Sequence, residues 1–97
     1  MSFMFYECMN FEGNGLENWD VSKVKNMEDM FSYCKQLNVD LSSWNVTNVT
    51  NMNYMFYFCE RFKCDLSEWD VSKVIHYYNT FDKCPNMETN PQLQPKF

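Results

Sequence analysis

Asn45-Val46-Thr47-Asn48-Val49-Thr50-Asn51-Met52-Asn53-Tyr54-Met55-Phe56-Tyr57-Phe58-Cys59 is the stretch on which the rest of the chain is patterned. Outward from it, the same residue types return at a fixed step. Trp19, Trp44 and Trp69 lie 25 residues apart, as do Phe31, Phe56 and Phe81, and Cys34, Cys59 and Cys84. Self-similarity at a period of about 20–50 residues marks an array of units, none of which can bury its apolar face alone. The junctions Leu16-x-x-Trp19-x-Val21, Leu41-x-x-Trp44-x-Val46 and Leu66-x-x-Trp69-x-Val71 each precede the pattern M-x-x-M-F-x-x-C. That pattern stands at Met27, Met30, Phe31 and Cys34, and again at Met52, Met55, Phe56 and Cys59. It is degenerate in Tyr77, Thr80, Phe81 and Cys84, and the chain opens part-way through a unit with Met1, Met4, Phe5 and Cys8. Cys8 to Cys34 is 26 residues, and Gly13-Asn14-Gly15 is the turn able to absorb the extra one.

Two periods alternate inside each unit. Met27, Met30, Phe31, Cys34 and Leu37 fall at helical spacing, with Met52, Met55, Phe56, Cys59 and Phe62 as their counterparts. Asn26 and Asn51 stand where N-caps belong, Asp29 suits a first helical turn, and Pro85 ends the last helix. The segment Leu-x-x-Trp-x-Val reads as a short strand, with Trp44 and Val46 inward and Ser43, Asn45 and Thr47 outward. Ser22, Thr47 and Ser72 cap a tight turn leading to Val24, Val49 and Val74. The expected fold is therefore an α/β repeat: a short curved leucine-rich-repeat-like solenoid of about four coils, with one strand and one helix per coil. Strands spaced about 4.8 Å apart beside helices about 8–10 Å apart would force the curvature. The coils fall near 1–26, 27–51, 52–76 and, in part, 77–84, forming one domain; 85–97 is a proline-containing tail that cannot be a helix and serves as a cap or docks on another chain.

The run D-L-S-x-W-D-V-S-x-V-x-N-M-x-x-M-F-x-x-C-x-x-F, carried from Asp40 through Phe62 and again from Asp65, resembles the BspA-like leucine-rich repeat. That repeat is also met as a mycoplasma-type surface-protein domain of unknown function. The resemblance covers nearly everything from Met1 to Cys84. It implies a leucine-rich-repeat-like solenoid of the kind found in bacterial surface proteins, protists, phages and large DNA viruses. It implies adhesion or protein binding and supplies no catalytic residues. The short chain, without an evident anchor, points to a small virus- or phage-encoded interaction protein rather than a cell-surface adhesin.

Composition narrows the function. The chain has 97 residues, of which 45% are hydrophobic and 19% aromatic, and it carries a net charge of −5. An acidic chain has no electrostatic footprint for nucleic acid. No apolar run approaches the ~20 residues that cross a bilayer, and the N-terminus does not read as a signal peptide.

Cys8, Cys34, Cys59 and Cys84 repeat at one inward position and read as reduced, buried thiols, which suits a reducing compartment; adjacent helices would hold them beyond disulfide reach. Cys64 is the odd one and reads as more accessible. There is no zinc-ligand spacing. His76, the sole histidine, has Ser72 nearby, but that serine sits at a structural repeat position, so no catalytic residue and no cofactor is assigned. The repeated acids Asp20, Asn45 and Asp70, with Asp40 and Asp65, favour turn bonding over a calcium column. The two N-x-T sequons at Asn45 and Asn48 follow from the same turn chemistry.

The expected role is non-enzymatic protein–protein interaction. The residues assigned to the partner are Glu17, Asp20, Ser43, Asn45, Glu68 and Asp70 on the inner face, with Tyr33 and Tyr57 from the aromatics off the core stripe, Tyr33, Tyr54, Tyr57, Phe58 and Tyr78. The alternative is a structural virion or surface component that self-stacks through an open strand edge at Leu16–Val21.

Overall fold

The computed structural model describes residues 1–97. Its organising element is a segment of consecutive tight turns, used once per unit. In the second unit Met30 N–H donates to the Met27 carbonyl, Ser32 to Asp29 and Cys34 to Phe31. The intervening N–H groups donate outward to the next unit: Met27 to Asn51, Asp29 to Asn53, Phe31 to Met55 and Tyr33 to Tyr57, at 2.7–2.9 Å. The third unit repeats this toward the fourth, with Met52, Tyr54, Phe56 and Phe58 donating to His76, Tyr78, Thr80 and Asp82. Phe3, Phe5 and Glu7 donate likewise to Glu28, Met30 and Ser32.

This geometry overturns the expected α/β leucine-rich-repeat solenoid. No strand forms: Asn26, Asn51 and His76 make isolated parallel bridges and nothing longer. No unit carries a helix at the M-x-x-M-F-x-x-C pattern. The helical apolar spacing is met instead by turns closing every three residues, which return Met27, Met30, Phe31 and Cys34 to one fully buried side. Asn26 and Asn51 cap no helix. Each Oδ1 accepts the N–H two residues on, from Glu28 and Asn53, at 2.9 Å. With neither strands nor repeated helices, the curvature argument lapses, and Leu16–Val21 is not a strand edge, since Leu16–Asn18 is a 3-10 turn.

The turns demand left-handed backbone. A tight turn whose third residue has positive φ ordinarily takes glycine there. Here that position holds Phe3, Glu7, Asp29, Tyr33, Tyr54, Phe58, Asn79 and Lys83, with φ between 52° and 64°. Each costs a non-glycine residue about 1–2 kcal/mol; Phe3, Glu7, Asp29, Tyr33, Tyr54 and Phe58 each donate an inter-unit hydrogen bond that holds them there.

The core follows from the register. Phe5, Phe31, Phe56 and Phe81 stack ring on ring at 5.5, 5.5 and 5.4 Å. Trp44 and Trp69 are buried, and their indole N–H groups donate to the Leu16 and Leu41 carbonyls of the preceding unit at 2.8 and 3.0 Å. Trp19 has no such partner and is 42% exposed. The expected inward–outward alternation of Trp44, Asn45 and Val46 is present in burial, although no strand carries it. The turns to Val24, Val49 and Val74 form as well, each N–H donating to the valine three residues back. Gly13, at φ 94°, absorbs the extra residue of the first unit; a Cβ there would lie 2.7 Å from Leu37 Cδ1.

The tail also differs from expectation. Pro85 starts rather than ends a helix: α1 spans Pro85–Glu88, where a proline at the first turn leaves no N–H unsatisfied. A 3-10 turn at Pro91–Leu93 follows, and the tail folds back, with Leu66 N–H donating to the Leu93 carbonyl at 2.8 Å and Met87 fully buried.

Two substitutions test this architecture by urea unfolding. Trp44→Ala is expected to cost about 3–5 kcal/mol, with Trp19→Ala well below it; equal, small losses would contradict the buried register. Lys83→Gly relieves about 1–2 kcal/mol of left-handed strain against glycine's entropy cost of about 0.5–1. It is expected to raise stability, whereas the same change at exposed Lys63 lowers it.

Candidate functional site

The acidic edge is built by local bonding. Asp20, Asn45 and Asp70 each accept, through Oδ1, the N–H two residues on, at 3.0, 3.1 and 3.0 Å. Asp40 and Asp65 do the same with Ser42 and Ser67 and also take the serine hydroxyls at 2.6 Å. These hydroxyls, then the amides, hold the carboxyls of Asp40 and Asp65 below the usual carboxylate range, and Ser22 and Ser72 do so for Asp20 and Asp70. Glu17 accepts the Gly15 N–H. Of the residues assigned to the inner face, exposed Ser43 and Glu68 alone have side chains with no hydrogen bond to another residue. Asp20 and Asp70 therefore shape turns, and altering them perturbs the backbone as well as the charge.

The other assigned residues, Tyr33 and Tyr57, belong to a larger constellation. Their rings meet edge to face at 5.4 Å. Tyr33 also stacks on Phe58 at 5.2 Å and touches Tyr6 at 5.8 Å, and Tyr6 meets Phe3 at 5.5 Å. From Tyr57 the contacts run to Tyr54 at 5.3 Å and on to Tyr78 at 5.8 Å. One connected set of rings thus crosses all four units on the outside of the turn ladder. Phe3, Tyr6 and Tyr78 are exposed and the rest half-buried. Desolvation, then the Glu7 carboxylate, raises the Tyr6 phenol; desolvation, then Tyr33 and Asp82, raises that of Tyr57. The face is aromatic with an acidic rim, suited to basic and apolar side chains. Tyr54, Phe58 and Tyr78 were visible in the sequence as off-core aromatics, whereas Phe3 and Tyr6 were not. Phe3 stands in the column of Asp29, Tyr54 and Asn79, and Tyr6 in that of Ser32, Tyr57 and Asp82, which places them beside the others.

The thiols are buried. Cys34 and Cys59 donate to the Phe5 and Phe31 carbonyls at 2.9 and 3.0 Å. Burial pushes Cys34 and Cys84 up to about 12 and raises Cys59 well above an ordinary thiol. Cys64, expected to be accessible, is also buried, at 8% exposure, and burial pushes it up to about 11. His76 is exposed, and its imidazole makes no hydrogen bond to another residue. No three His, Cys, Asp or Glu side chains converge to hold a cation. No helix is long and apolar enough to cross a membrane.

Residues 1–94 match the family described as Mycoplasma protein of unknown function, DUF285, and the chain belongs to that family. No curated protein and no solved structure matches it.

These environments set a pH profile. Thiols with raised native values stabilise the fold fully below the unfolded thiol pKa of about 8.5. That contribution falls as pH rises toward about 12. The lowered aspartates stabilise above their unfolded value of about 3.9, and that contribution is lost as pH falls through their native values. A thermal-melting profile is expected to show a plateau between these flanks, with a thiol reagent reacting fast at half-buried Cys8 alone. Rapid modification of Cys34, Cys59 or Cys84 in the native protein would contradict the buried arrangement.

Proposed function

We propose that this chain is a non-enzymatic protein-recognition module that binds its partner on the face formed by Tyr6, Tyr33, Tyr54, Tyr57 and Tyr78. The observation that carries the reading is the continuity of that ring network across four units, at 5.3–5.8 Å between successive tyrosines. Aromatic side chains give large contact area for little lost rotamer freedom, and binding energy concentrates on them. The fixed turn ladder beneath presents them in place. The acidic rim and the net charge of −5 favour a partner with a basic or neutral contact surface. The resemblance of the repeat to BspA-like surface proteins, whose function is adhesion, protein binding or unknown, is in keeping with the same reading and with a setting at a cell, phage or virus surface. The aromatic face takes precedence over Asp20, Asn45 and Asp70, whose side chains are already committed to turns.

Cross-linking mass spectrometry in the native source, comparing the wild type with Tyr33→Ala/Tyr57→Ala, tests this reading. The double variant is expected to lose the cross-linked partner while keeping a cooperative melt, and Glu68→Lys, free of turn bonds, is expected to retain it. Retention by the tyrosine variant with loss in Glu68→Lys would move the site to the acidic edge.

A further inference from the structure

The two ends of the stack are left with opposite halves of the same hydrogen-bond ladder. Inside the molecule, every second N–H of one turn segment donates to a carbonyl of the next unit. No other segment of residues 1–97 lies against the outer side of the first segment. Its carbonyls of Ser2, Met4 and Tyr6, equivalent to the accepting carbonyls of Glu28, Met30 and Ser32, receive no hydrogen bond. The fourth segment has no further turn segment beyond it. The N–H groups of Asn79, Phe81 and Lys83, equivalent to the donating Tyr54, Phe56 and Phe58, have no acceptor. Unpaired rows of this kind are templates for pairing with another chain. One row is all acceptor and the other all donor, so like ends do not pair and unlike ends do.

We propose that copies of this chain associate head to tail, the segment 1–8 of one copy lying along 77–83 of another as the next rung of the ladder. The register follows from the interior: Asn79 donates to Ser2 of the second copy, Phe81 to Met4 and Lys83 to Tyr6. Two further observations agree with it. Phe5 of the second copy comes over Phe81, extending the phenylalanine stack that elsewhere repeats at 5.4–5.5 Å. Glu7, Tyr33, Phe58 and Lys83 form one column, all with left-handed backbone, and its two ends are an exposed carboxylate and an exposed ammonium. Head-to-tail contact sets Glu7 against Lys83, a complementary pair supplied by the two ends. Trp19 lies on the same unsatisfied face: it is 42% exposed, without the carbonyl partner that Trp44 and Trp69 have in the unit before them.

The receiving edge is a groove of about 410 Å³ between the fourth segment and the tail, lined by Asn79, Phe81, Glu88, Gln94 and Phe97 among others. Phe97 lies flat on Tyr77 at 4.7 Å. Tyr77 is the counterpart of Met1, so Phe97 occupies the one place in the next rung that Met1 of a second copy would take. The tail competes with association at that position and borders Asn79 and the buried Phe81, so it must give way there for the next rung to form. Because the contact joins two different surfaces, it propagates into an open chain or closes into a ring, not a two-fold dimer.

Sedimentation equilibrium of the 97-residue protein over a broad concentration range tests this. Average mass is expected to rise with concentration beyond a dimer, less steeply in high salt. Glu7→Lys and Lys83→Glu are each expected to weaken association by roughly three- to ten-fold, and the two variants mixed are expected to recover it through the reversed pair. Phe97→Ala is expected to strengthen it. A monomer at every concentration for both the wild type and Phe97→Ala overturns the proposal. So does association that both charge variants leave unchanged, or a strict dimer, which would place the contact elsewhere.

Discussion

One hydrogen bond, repeated, governs this structure: the N–H of a residue at or beside a left-handed position donating to a carbonyl 24 or 25 residues ahead. A phenylalanine, two tyrosines or a glutamate at φ near 60° is disfavoured in isolation, and no local sequence preference would select it. The cost is met collectively. Once one segment lies on the next, each left-handed residue of the first three segments turns its amide toward a neighbouring carbonyl, and reverting to right-handed backbone would forfeit that bond and displace the buried side chain next to it. The turn segment therefore exists only as part of the stack, and the individual unit has no stable form of its own.

The same interdependence explains what could and could not be read from the sequence. The period of 25, the buried set Met27, Met30, Phe31 and Cys34, and the turn roles of Asp40 and Asp65 are carried by residue type and spacing, and they were legible. The backbone path was not. Apolar residues at i, i+3, i+4 and i+7 satisfy a helix and a chain of tight turns equally well, and the usual sign of a left-handed turn, a glycine at its third residue, is missing from every unit. Gly13 and Gly15, the only glycines, mark the one irregular link. Likewise Pro85 reads as a terminator when the preceding segment is taken as a helix and as an initiator when that segment is turns.

The aromatic face shows how partial such legibility is. Tyr33 and Tyr57 could be singled out because they miss the buried stripe, but their contact at 5.4 Å depends on the ladder register. Phe3 and Tyr6 join them because the first unit has aromatics in the columns where the second has Asp29 and Ser32. The acidic column was legible in position and in the turn bonding expected of it. Its members look like a presented surface, yet Asp20, Asn45 and Asp70 point their oxygens back at the chain.

The inter-unit bonds of the turn segments run in one sense, from the N–H of a unit to the carbonyl of the unit after it, while those donated by Asn38, Thr50, Asn51, Arg61, Ile75 and His76 run back to the unit before. Within the turn segments the partial charges of those peptide groups add rather than cancel. The face with free carbonyls is the negative pole and the face with free amides the positive one. Glu7 and Lys83 sit at these poles with the matching sign, so they enlarge the moment instead of neutralising it. The turn-segment side of this acidic protein thus carries opposite charges at its two ends, which bias how a charged surface approaches it before any contact is made.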